Sequence, residues 1–356
     1  MEYIELSELC TPHTKNIAVK DVANQKGKYP VFGAAGLVGF MDSYQMPNEY
    51  VGIIKDGAGI GRTNTYPAKS SLIGTMQCLL PKDGVNVKYL MYLVRSLKLG
   101  SSYSGATIPH IYYKNYKNTK IPKRELQQQL EIANILDNIE QGIKVKQEQL
   151  KALDELLQSR FTEMFGRQTF EVKPIRVLVS DNIKTTKKVF TKDDEIEYID
   201  ISSIDNTQNT ITGTTKYIVA QAPSRAQQYT QYNDILVSTV RPNLKNIAIN
   251  KHTEPNLIAS SGFCILRPER CAPEYLLYNV LSNEFTTKMI SLTTGASYPA
   301  IRDNDVLNYT IPVPPLPLQN QFAEFVQKVE KAKEIVKIQI KDLQELLALK
   351  MDEYYK

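Results

Sequence analysis

The sequence predicts an α+β fold: two globular mixed α/β domains separated by two long antiparallel coiled-coil helices, with an internal pseudo-twofold repeat. The first observation behind this prediction is that residues 295–355 repeat residues 105–165 without a gap, with 18 identical positions out of 61. The second is that both copies pass from an Ile-Pro pair into a long amphipathic helix pattern. A repeat of this length indicates two copies of one unit, each a globular piece followed by a helix.

The repeat divides the chain into four predicted segments. A first globular domain covers 1–121, a first long spacer helix covers 122–166, a second globular domain covers 167–314, and a second long spacer helix covers 315–356. Helices of this length would each extend about 60 Å, because an α-helix rises about 1.5 Å per residue.

The two long helices are predicted from apolar residues at heptad spacing, which is typical of coiled-coil pairing. The predicted seam positions are Ile132, Leu136, Ile139, Ile143, Leu150, Leu153, Leu157 and Met164 in the first helix, and Phe322, Val326, Val329, Val336, Ile340, Leu343, Leu347 and Tyr354 in the second. Lys146 and Lys333 interrupt the seams. A lysine in such a position can fix the register of the helices or extend its charge to solvent.

Short apolar runs between Gly, Asn and Asp residues predict strands in both globular pieces. The predicted strands are 29–33, 51–55 and 71–80 in the first piece, and lie within 197–204, 234–240, 245–249 and 262–268 in the second. Helices are predicted at 89–97 and 275–283. Tyr89 aligns with Tyr275 and Tyr92 with Tyr278, so the duplication extends into the globular pieces, although their other loops differ.

The composition favours a protein of the cytoplasm. Apolar residues make up 42% of the 356 residues, as in an ordinary soluble protein. No apolar run approaches the roughly 20 residues of a membrane span, and the N-terminus lacks a basic segment followed by an apolar core. The four cysteines and three histidines are not spaced as metal ligands. We therefore expect reduced thiols, no metal site and no membrane partner.

The net charge of +5 is unevenly distributed along the chain. Residues 1–121 carry +6, residues 122–165 carry −2, residues 166–314 carry +1, and residues 315–356 are neutral. An excess of positive charge in the globular pieces favours an anionic ligand there and leaves the helices for protein contacts.

A glycine-rich stretch, DGAGIG at 56–61, follows a predicted strand. A nucleotide-binding glycine loop requires a helix directly after the glycines. Here the chain continues as RTNTYP at 62–67, which is typical of a turn and a strand, so a tight hairpin is favoured over a nucleotide or S-adenosylmethionine site. The sequence has no Walker loop, HExxH, GxSxG or NPPY motif, and we expect no catalytic activity.

The segments that close the two globular pieces carry a family resemblance. They read GATIPHI at 105–111 and GASYPAI at 295–301, and each leads into Ile-Pro and a long amphipathic helix. This order, repeated over essentially the whole chain, resembles the specificity (S) subunits of type I restriction-modification systems. The stretch IIKDGAGIGRT at 53–63 also looks like one subtype of that family's target-recognition domains. The chain is short for the family.

The resemblance implies that each globular domain is a target-recognition domain for one half of a bipartite double-stranded DNA site. The helices would set the unspecified spacer and dock two methyltransferase (M) subunits. Restriction and motor (R) subunits would complete the complex. The chain itself would be non-catalytic, and S-adenosylmethionine, ATP and Mg²⁺ would bind only in the partner subunits.

The candidate DNA-binding residues are side chains suited to phosphates or base edges. Arginine suits guanine, asparagine and glutamine suit adenine, and lysine and hydroxyl groups suit phosphate. The candidates are Lys55, Arg62, Asn64, Lys69, Thr107 and His110 in the first piece, and Lys187, Lys188, Arg225, Gln227, Gln228, Arg241, Asn243, Lys245, Ser297, Tyr298 and Arg302 in the second. A structural role suits His110 better than base reading, and loop closure suits Tyr298 at least as well.

Two modules bound on one face of a duplex, one helical turn apart, would place the half-site centres roughly 10 bp apart and cover about 13–15 bp. Three alternatives remain open. A related bipartite or methylation-only system would use the same chain. A coiled-coil scaffold with two protein-binding lobes predicts no DNA affinity, and a methyl-donor-dependent enzyme would use the DGAGIG loop.

Overall fold

The computed structural model describes residues 2–13, 17–22, 26–101, 110–166, 169–295 and 298–356. The chain forms two compact units. Unit 1 consists of Met1–Gln149 and Val336–Lys356, and unit 2 consists of Leu150–Ile335. Each unit combines short strands, short helices and a part of both long helices, which confirms the predicted α+β class.

The described strands are, in chain order, β1 (Tyr3–Glu5), β2 (Cys10–His13), β3 (Tyr29–Gly33), β4 (Gly36–Met41), β5 (Tyr50–Ile54), β6 (Thr63–Tyr66), β7 (Ser71–Leu72), β8 (Met76–Pro81), β9 (Lys120–Pro122), β10 (Val172–Pro174), β11 (Glu195–Ile199), β12 (Ile204–Asp205), β13 (Thr210–Ile211), β14 (Thr215–Ile218), β15 (Ala226–Tyr229), β16 (Ile235–Ser238), β17 (Ile247–Ile249), β18 (Leu257–Ser260), β19 (Phe263–Leu266) and β20 (Thr310–Pro312). The described α-helices are α1 (Leu6–Leu9), α2 (Val19–Val22), α3 (Val87–Ser96), α4 (Tyr113–Tyr116), α5 (Leu126–Phe165), α6 (Thr186–Val189), α7 (Pro273–Val280), α8 (Asn283–Ser291), α9 (Asp303–Leu307) and α10 (Leu316–Tyr355).

Unit 1 is built around an antiparallel four-stranded sheet of order β2-β8-β5-β6. A second sheet has the order β4-β3-β7, with β3 and β7 parallel. Helix α3 packs on β5 and β6 and buries the apolar side chains of its inner face. These side chains form one core with Leu136 of α5 and Tyr355 of α10.

Unit 2 uses different sheets around a similar helix. Its four-stranded sheet has the order β14-β11-β18-β15 and contains one parallel pair, β11 with β18. A three-stranded antiparallel sheet has the order β17-β16-β19. Helix α7 packs on β16 and β17, and its residues share a core with the end of α5 and the start of α10.

The heptad seams of the two long helices are confirmed. Both helices contain 40 residues, and every predicted apolar seam position is buried or half-buried. In unit 1, Gly142 lies against Leu343. In unit 2, the rings of Phe161 and Phe322 lie 5.3 Å apart. The two helices therefore pair antiparallel within each unit, as predicted.

The two seam lysines differ in environment. Lys333 is 5% exposed, and its ammonium group lies 2.8 Å from Asp154 and 2.9 Å from Glu330, all within unit 2. Burial lowers the pKa of Lys333, but the hydrogen bonds to these carboxylates raise it more, so the net shift is upward. Lys146 is half-buried and donates a 3.3 Å hydrogen bond to Gln149. A charged lysine is thus compatible with the seam where a carboxylate of the other helix, Asp154, and one of its own helix, Glu330, pair with it.

The repeated Ile-Pro pairs lie in equivalent two-stranded sheets. In unit 1, Ile121 of β9 pairs with Ile4 of β1, and in unit 2, Ile311 of β20 pairs with Lys173 of β10. Both isoleucines are 1% exposed. Each sheet joins the beginning of a globular piece to its end, immediately before the long helix.

A buried glutamine fixes the start of each long helix. In unit 1, Gln129 accepts a hydrogen bond from the Asn86 backbone N–H (2.9 Å) and donates to the Arg124 carbonyl (3.0 Å). In unit 2, Gln319 accepts from the Ala272 N–H (2.9 Å) and donates to the Pro314 carbonyl (2.8 Å). Both copies of the repeat hold a glutamine at this position because its side chain makes the same two backbone hydrogen bonds in each unit.

The ends of the long helices also occupy equivalent places. In unit 1, the Tyr355 ring lies 5.2 Å from Tyr89, and its hydroxyl donates to the Tyr89 carbonyl. In unit 2, Phe165 lies 4.8 Å from Tyr275. Each long helix thus begins in the core of one unit and ends in the core of the other.

The predicted strands and short helices are correct in position but too long in three places. Strand 71–80 is divided between β7 and β8 by a turn in which Met76 donates to Ile73. The strand in 197–204 ends at Ile199, because the Asp200 carboxylate accepts from the next N–H and starts a turn. Helix 275–283 ends at Val280, and Ser282 caps a new helix by accepting from the Phe285 N–H.

Gln319→Leu is expected to destabilise the protein by about 1–3 kcal/mol, because it leaves the Ala272 N–H and the Pro314 carbonyl buried without their partner. The matched control is Gln327→Leu at an exposed position of the same helix, where we expect a change within about 0.5 kcal/mol. Denaturant unfolding of both variants measures the difference. Equal losses would show that the buried glutamine has no special role.

Candidate nucleic-acid interface

The DGAGIG stretch forms the loop of the hairpin between β5 and β6, as predicted. Gly57, Gly59 and Gly61 all have positive φ angles, of +78°, +81° and +85°, which glycine tolerates best. The N–H groups of Ile60 and Gly61 donate to the carbonyls of Gly57 and Ile54. These donors are used within the loop, so they do not form a phosphate cradle.

The candidate residues of unit 1 lie around this loop. Arg62 is exposed and donates to the carbonyls of Gly59 (3.4 Å) and Ala34 (3.3 Å). Lys55 is half-buried, and its carbonyl accepts from the Ile111 N–H at 3.0 Å. Lys69 is exposed on the turn between β6 and β7, with a φ of +55°.

Two candidates of unit 1 have protein partners at the site. The Nδ1 atom of His110 contacts the Asp56 carboxylate, and the centre of its ring lies 4.1 Å from that of Tyr112. His110 thus has protein partners, and the structural role favoured by the sequence stays a prediction. Asn64 is exposed, but its side-chain oxygen accepts a 2.8 Å hydrogen bond from Arg95. Sequence reasoning missed Arg95, because nothing in a helix pattern indicates that an arginine contacts a strand 31 residues earlier.

In unit 2, backbone hydrogen bonds bring the segments that carry most of the candidates together at one edge of the unit. The Ser261 N–H donates to Arg225 (2.8 Å), the Thr239 N–H to Gly262 (2.9 Å), and the Ile301 N–H to Thr239 (2.9 Å). Helix α6 joins the same edge, since Thr186 donates through its hydroxyl to the Ala226 carbonyl at 2.9 Å. We call the segments 186–188, 225–228, 239–245 and 298–302 the basic edge of unit 2.

The basic edge carries six cationic side chains: Lys187, Lys188, Arg225, Arg241, Lys245 and Arg302. All but Lys245 are exposed. The nearby Asp305 carboxylate accepts from the Arg302 backbone N–H at 2.7 Å and serves as a helix cap. Clustered exposed cations are the electrostatic footprint of nucleic-acid binding.

A strained turn forms the centre of the basic edge. Arg241 and Lys245 both adopt left-handed backbone conformations, with φ of +50° and +51°, on either side of a short 3₁₀ turn. The Asn206 side chain, which sequence reasoning missed, donates to the Leu244 carbonyl at 2.7 Å and holds the turn. Non-glycine residues in this conformation are uncommon, and such strain concentrates at functional sites.

Arg241 is stacked on an exposed tyrosine. The guanidinium carbon lies 5.1 Å from the centre of the Tyr298 ring, and Tyr298 is 71% exposed. The Arg241 N–H also donates to the Pro299 carbonyl at 2.8 Å. Because Asn243 is exposed on the same turn, the structure brings an arginine, an asparagine and an aromatic ring together at one surface.

The remaining candidates of unit 2 divide into exposed and engaged side chains. Gln227 is exposed and donates to Ser224. Gln228 is half-buried and donates to the carbonyls of Ser260 (3.0 Å) and Phe263 (2.6 Å), so its amide supports the β18–β19 turn. Lys245 donates to Asn283 at 2.8 Å. Thr107 and Ser297 lie outside the described residues.

The cysteines have the environment expected of inert thiols. All four are buried and free. Burial raises the pKa of Cys10 to about 11 and those of Cys78 and Cys271 to about 12, so these thiols are protonated at neutral pH. Among the described residues, no group of three or more His, Cys, Asp and Glu side chains could hold a metal ion. In the same residues, no helix is long and apolar enough to span a membrane.

Comparison with known proteins gives a consistent result. The sequence profile of the family described as "Type I restriction modification DNA specificity domain" matches residues 1–155 and 169–345. The type I restriction enzyme MjaVIII specificity subunit of Methanocaldococcus jannaschii is 25% identical over 276 residues, which span 69% of this chain and 64% of that protein. This chain thus matches less than two thirds of that relative's length.

Two solved structures are similar to this chain. The type I restriction-modification S subunit from M. genitalium superposes with a TM-score of 0.58 and 15% identity, covering 100% of this chain and 96% of that one. This likeness concerns the fold. The HsdS subunit from Thermoanaerobacter tengcongensis matches with a TM-score of 0.43 and 29% identity, over 51% of this chain and 48% of its own.

Gly61→Ala is expected to destabilise the protein more than Gly57→Ala. Both residues have positive φ, so either alanine costs about 1–2 kcal/mol in backbone strain. A Cβ atom at Gly61 would also lie 2.4 Å from the Gly100 nitrogen, whereas at Gly57 it would meet nothing within 4 Å. Overpacking of this kind adds about 1–3 kcal/mol. Thermal unfolding measures both variants, and equal melting temperatures would contradict the packing of this loop on Gly100.

Proposed function

The chain belongs to the family of type I restriction-modification DNA specificity domains, and we propose that it is the specificity subunit of a type I complex acting on cytoplasmic DNA. Each globular domain reads one half of a bipartite double-stranded site. The chain contributes recognition and no catalysis. S-adenosylmethionine, ATP and Mg²⁺ bind in the M and R subunits.

The basic edge of unit 2 is the observation that carries this proposal. Its exposed arginines and lysines supply phosphate contacts, and Arg241, on a rigid turn, is suited to the two acceptors of guanine. In unit 1, Lys55, Arg62 and Lys69 provide positive charge around the glycine-loop hairpin. Different loops on a repeated frame suit two modules that read different sequences.

Exposed apolar residues at equivalent positions support docking of two identical M subunits. Val145 and Ile335 are 49% and 58% exposed, and Leu156 and Leu346 are 45% and 40% exposed. Each pair is matched by the repeat. Apolar side chains repeated on the outer surfaces of both long helices suit two copies of one partner.

The DGAGIG loop does not support the alternative of a methyl-donor-dependent enzyme. Its strand is followed by β6 instead of a helix, and the N–H groups of Ile60 and Gly61 are used inside the loop. The scaffold alternative differs from the proposal in one testable property: it predicts no affinity for double-stranded DNA.

Arg241→Ala is expected to weaken binding of the assembled complex to its own site by about 1–3 kcal/mol and to relax specificity at one position of one half-site. The control is Arg270→Ala, which removes an exposed arginine of unit 2 outside the basic edge. Methylation of a library with each half-site randomised measures both properties. A wild-type complex with no affinity for duplex DNA at low salt would favour the scaffold alternative.

Lengthening both helices by one heptad is expected to lengthen the spacer. Seven residues inserted after Gln147 and seven after Ile338 preserve the antiparallel pairing and add about 10 Å of helix, equivalent to roughly 3 bp at about 3.4 Å per base pair. Both half-sites should remain unchanged. Long-read sequencing of methylated adenines reports the spacer and half-sites together, and an altered half-site would contradict the ruler role of the helices.

A further inference from the structure

Arg95, on helix α3 of unit 1, uses its guanidinium group in three directions. Its Nε donates to the Thr63 carbonyl at 2.8 Å, and Nη2 donates to the Asn64 side-chain oxygen at 2.8 Å. Its Nη1 meets the Glu140 carboxylate of α5 at 2.5 Å. One side chain therefore connects strand β6, a candidate DNA-binding side chain and the long helix.

The Arg95 side chain is itself held in place. It is 25% exposed and lies 5.4 Å from the centre of the Tyr92 ring. The Tyr92 hydroxyl lies 2.8 Å from an Asp137 carboxylate oxygen and 3.0 Å from a Glu140 oxygen, and the two share its one proton. Lys88 pairs with Asp137 one turn before Tyr92 on α3. We call Lys88, Tyr92, Arg95, Asp137 and Glu140 the polar seam of unit 1.

The hydrogen bond from Arg95 limits what Asn64 can recognise. A guanidinium only donates, so the group of Asn64 that faces it is the oxygen. Burial raises the pKa of Tyr66, and a hydrogen bond from the Asn64 side chain partly offsets this rise. Asn64 therefore keeps an N–H for a ligand, while its oxygen is engaged. Bidentate adenine recognition requires an N–H and a free lone pair of the oxygen, both directed at the base. Arg95 occupies one lone pair and fixes the orientation of the amide, so the N–H best suits an acceptor such as guanine N7 or O6, thymine O4 or a phosphate oxygen.

The corresponding position of unit 2 holds an apolar residue. Leu281 occupies the position that corresponds to Arg95, and it packs against the apolar core of unit 2. The framework of the repeat therefore does not require an arginine at this place.

We propose that Arg95 is a positioning residue for DNA recognition by unit 1. It orients the Asn64 amide, and through Glu140 it fixes the position of strand β6 relative to the long helix. This inference rests on the proposed function. It predicts that loss of the guanidinium impairs reading of one half-site and leaves the other half-site unaffected.

The test uses the full chain assembled with its methyltransferase subunits. The probe is a DNA library with each half-site randomised in turn, and the readout is adenine methylation. Asn64→Ala identifies the position that depends on unit 1. Arg95→Met is expected to relax preference at that same position roughly tenfold or more. On an Asn64→Ala background, Arg95→Met should add nothing, because residues that act as one group are not additive.

Two further variants separate positioning from stability. Arg95→Lys keeps the charge and the pair with Glu140 but loses the fork that reaches Thr63 and Asn64, so it should fold normally and still relax the preference. Arg176→Met removes an exposed arginine of unit 2 that donates to Asn308 and Asn304, and should leave unit 1's half-site unchanged. Melting temperatures confirm that each variant folds.

Three outcomes would overturn the proposal: equal relaxation of both half-sites by Arg95→Met, full recovery by Arg95→Lys, or additive effects with Asn64→Ala. A wild-type complex that methylates a split motif while Arg95→Met leaves its preferences intact would remove the role of Arg95 and retain the proposed function. A wild-type complex with no split motif would overturn the proposed function, and the role of Arg95 with it.

Discussion

A buried glutamine at the first turn of each long helix is the contact on which the rest of the structure depends. Gln129 and Gln319 are 3% and 1% exposed, and each uses its donor and its acceptor on backbone groups. One partner is at the start of a short helix on the sheet, and the other is just before the long helix. Because a buried amide without partners is costly, this geometry fixes the globular piece to the helix within each unit.

On this shared frame, the two units use different chemistry. In unit 1, α3 shares an apolar core with α5 and adds the polar seam of ion pairs and tyrosine hydrogen bonds. Unit 2 packs α7 against the long helices through an aromatic cluster, in which the Phe322 ring lies 5.1 Å from Tyr278 and 5.6 Å from Phe165. Ion pairs are directional and weakened by salt, whereas aromatic burial depends mainly on area. The duplication has therefore conserved geometry while the contacts diverged.

The repeated parts of this fold could be predicted from the sequence alone. Identical residues at Gln129 and Gln319, and the Ile-Pro pairs, belong to the frame, and heptad spacing predicted both long helices. Local hydrogen bonds end one predicted strand and one predicted helix early: the Asp200 side chain starts a turn, and the Ser282 side chain starts a new helix, by accepting from nearby N–H groups. The spacing of apolar residues does not reveal such hydrogen bonds between a side chain and the backbone.

The candidate interface was less predictable, because residue type indicates what a side chain can bind and only the fold shows what it has already bound. Asn64 and Gln228 were chosen for their amides, yet Arg95 engages one, and two backbone carbonyls engage the other. Arg241 and Tyr298 were chosen separately, 57 positions apart, and the structure stacks them at one surface. The left-handed conformations of Arg241 and Lys245 could not be predicted, since neither residue is a glycine. In unit 2, backbone contacts hold the exposed groups of the basic edge in place, so binding a ligand there would require little additional ordering.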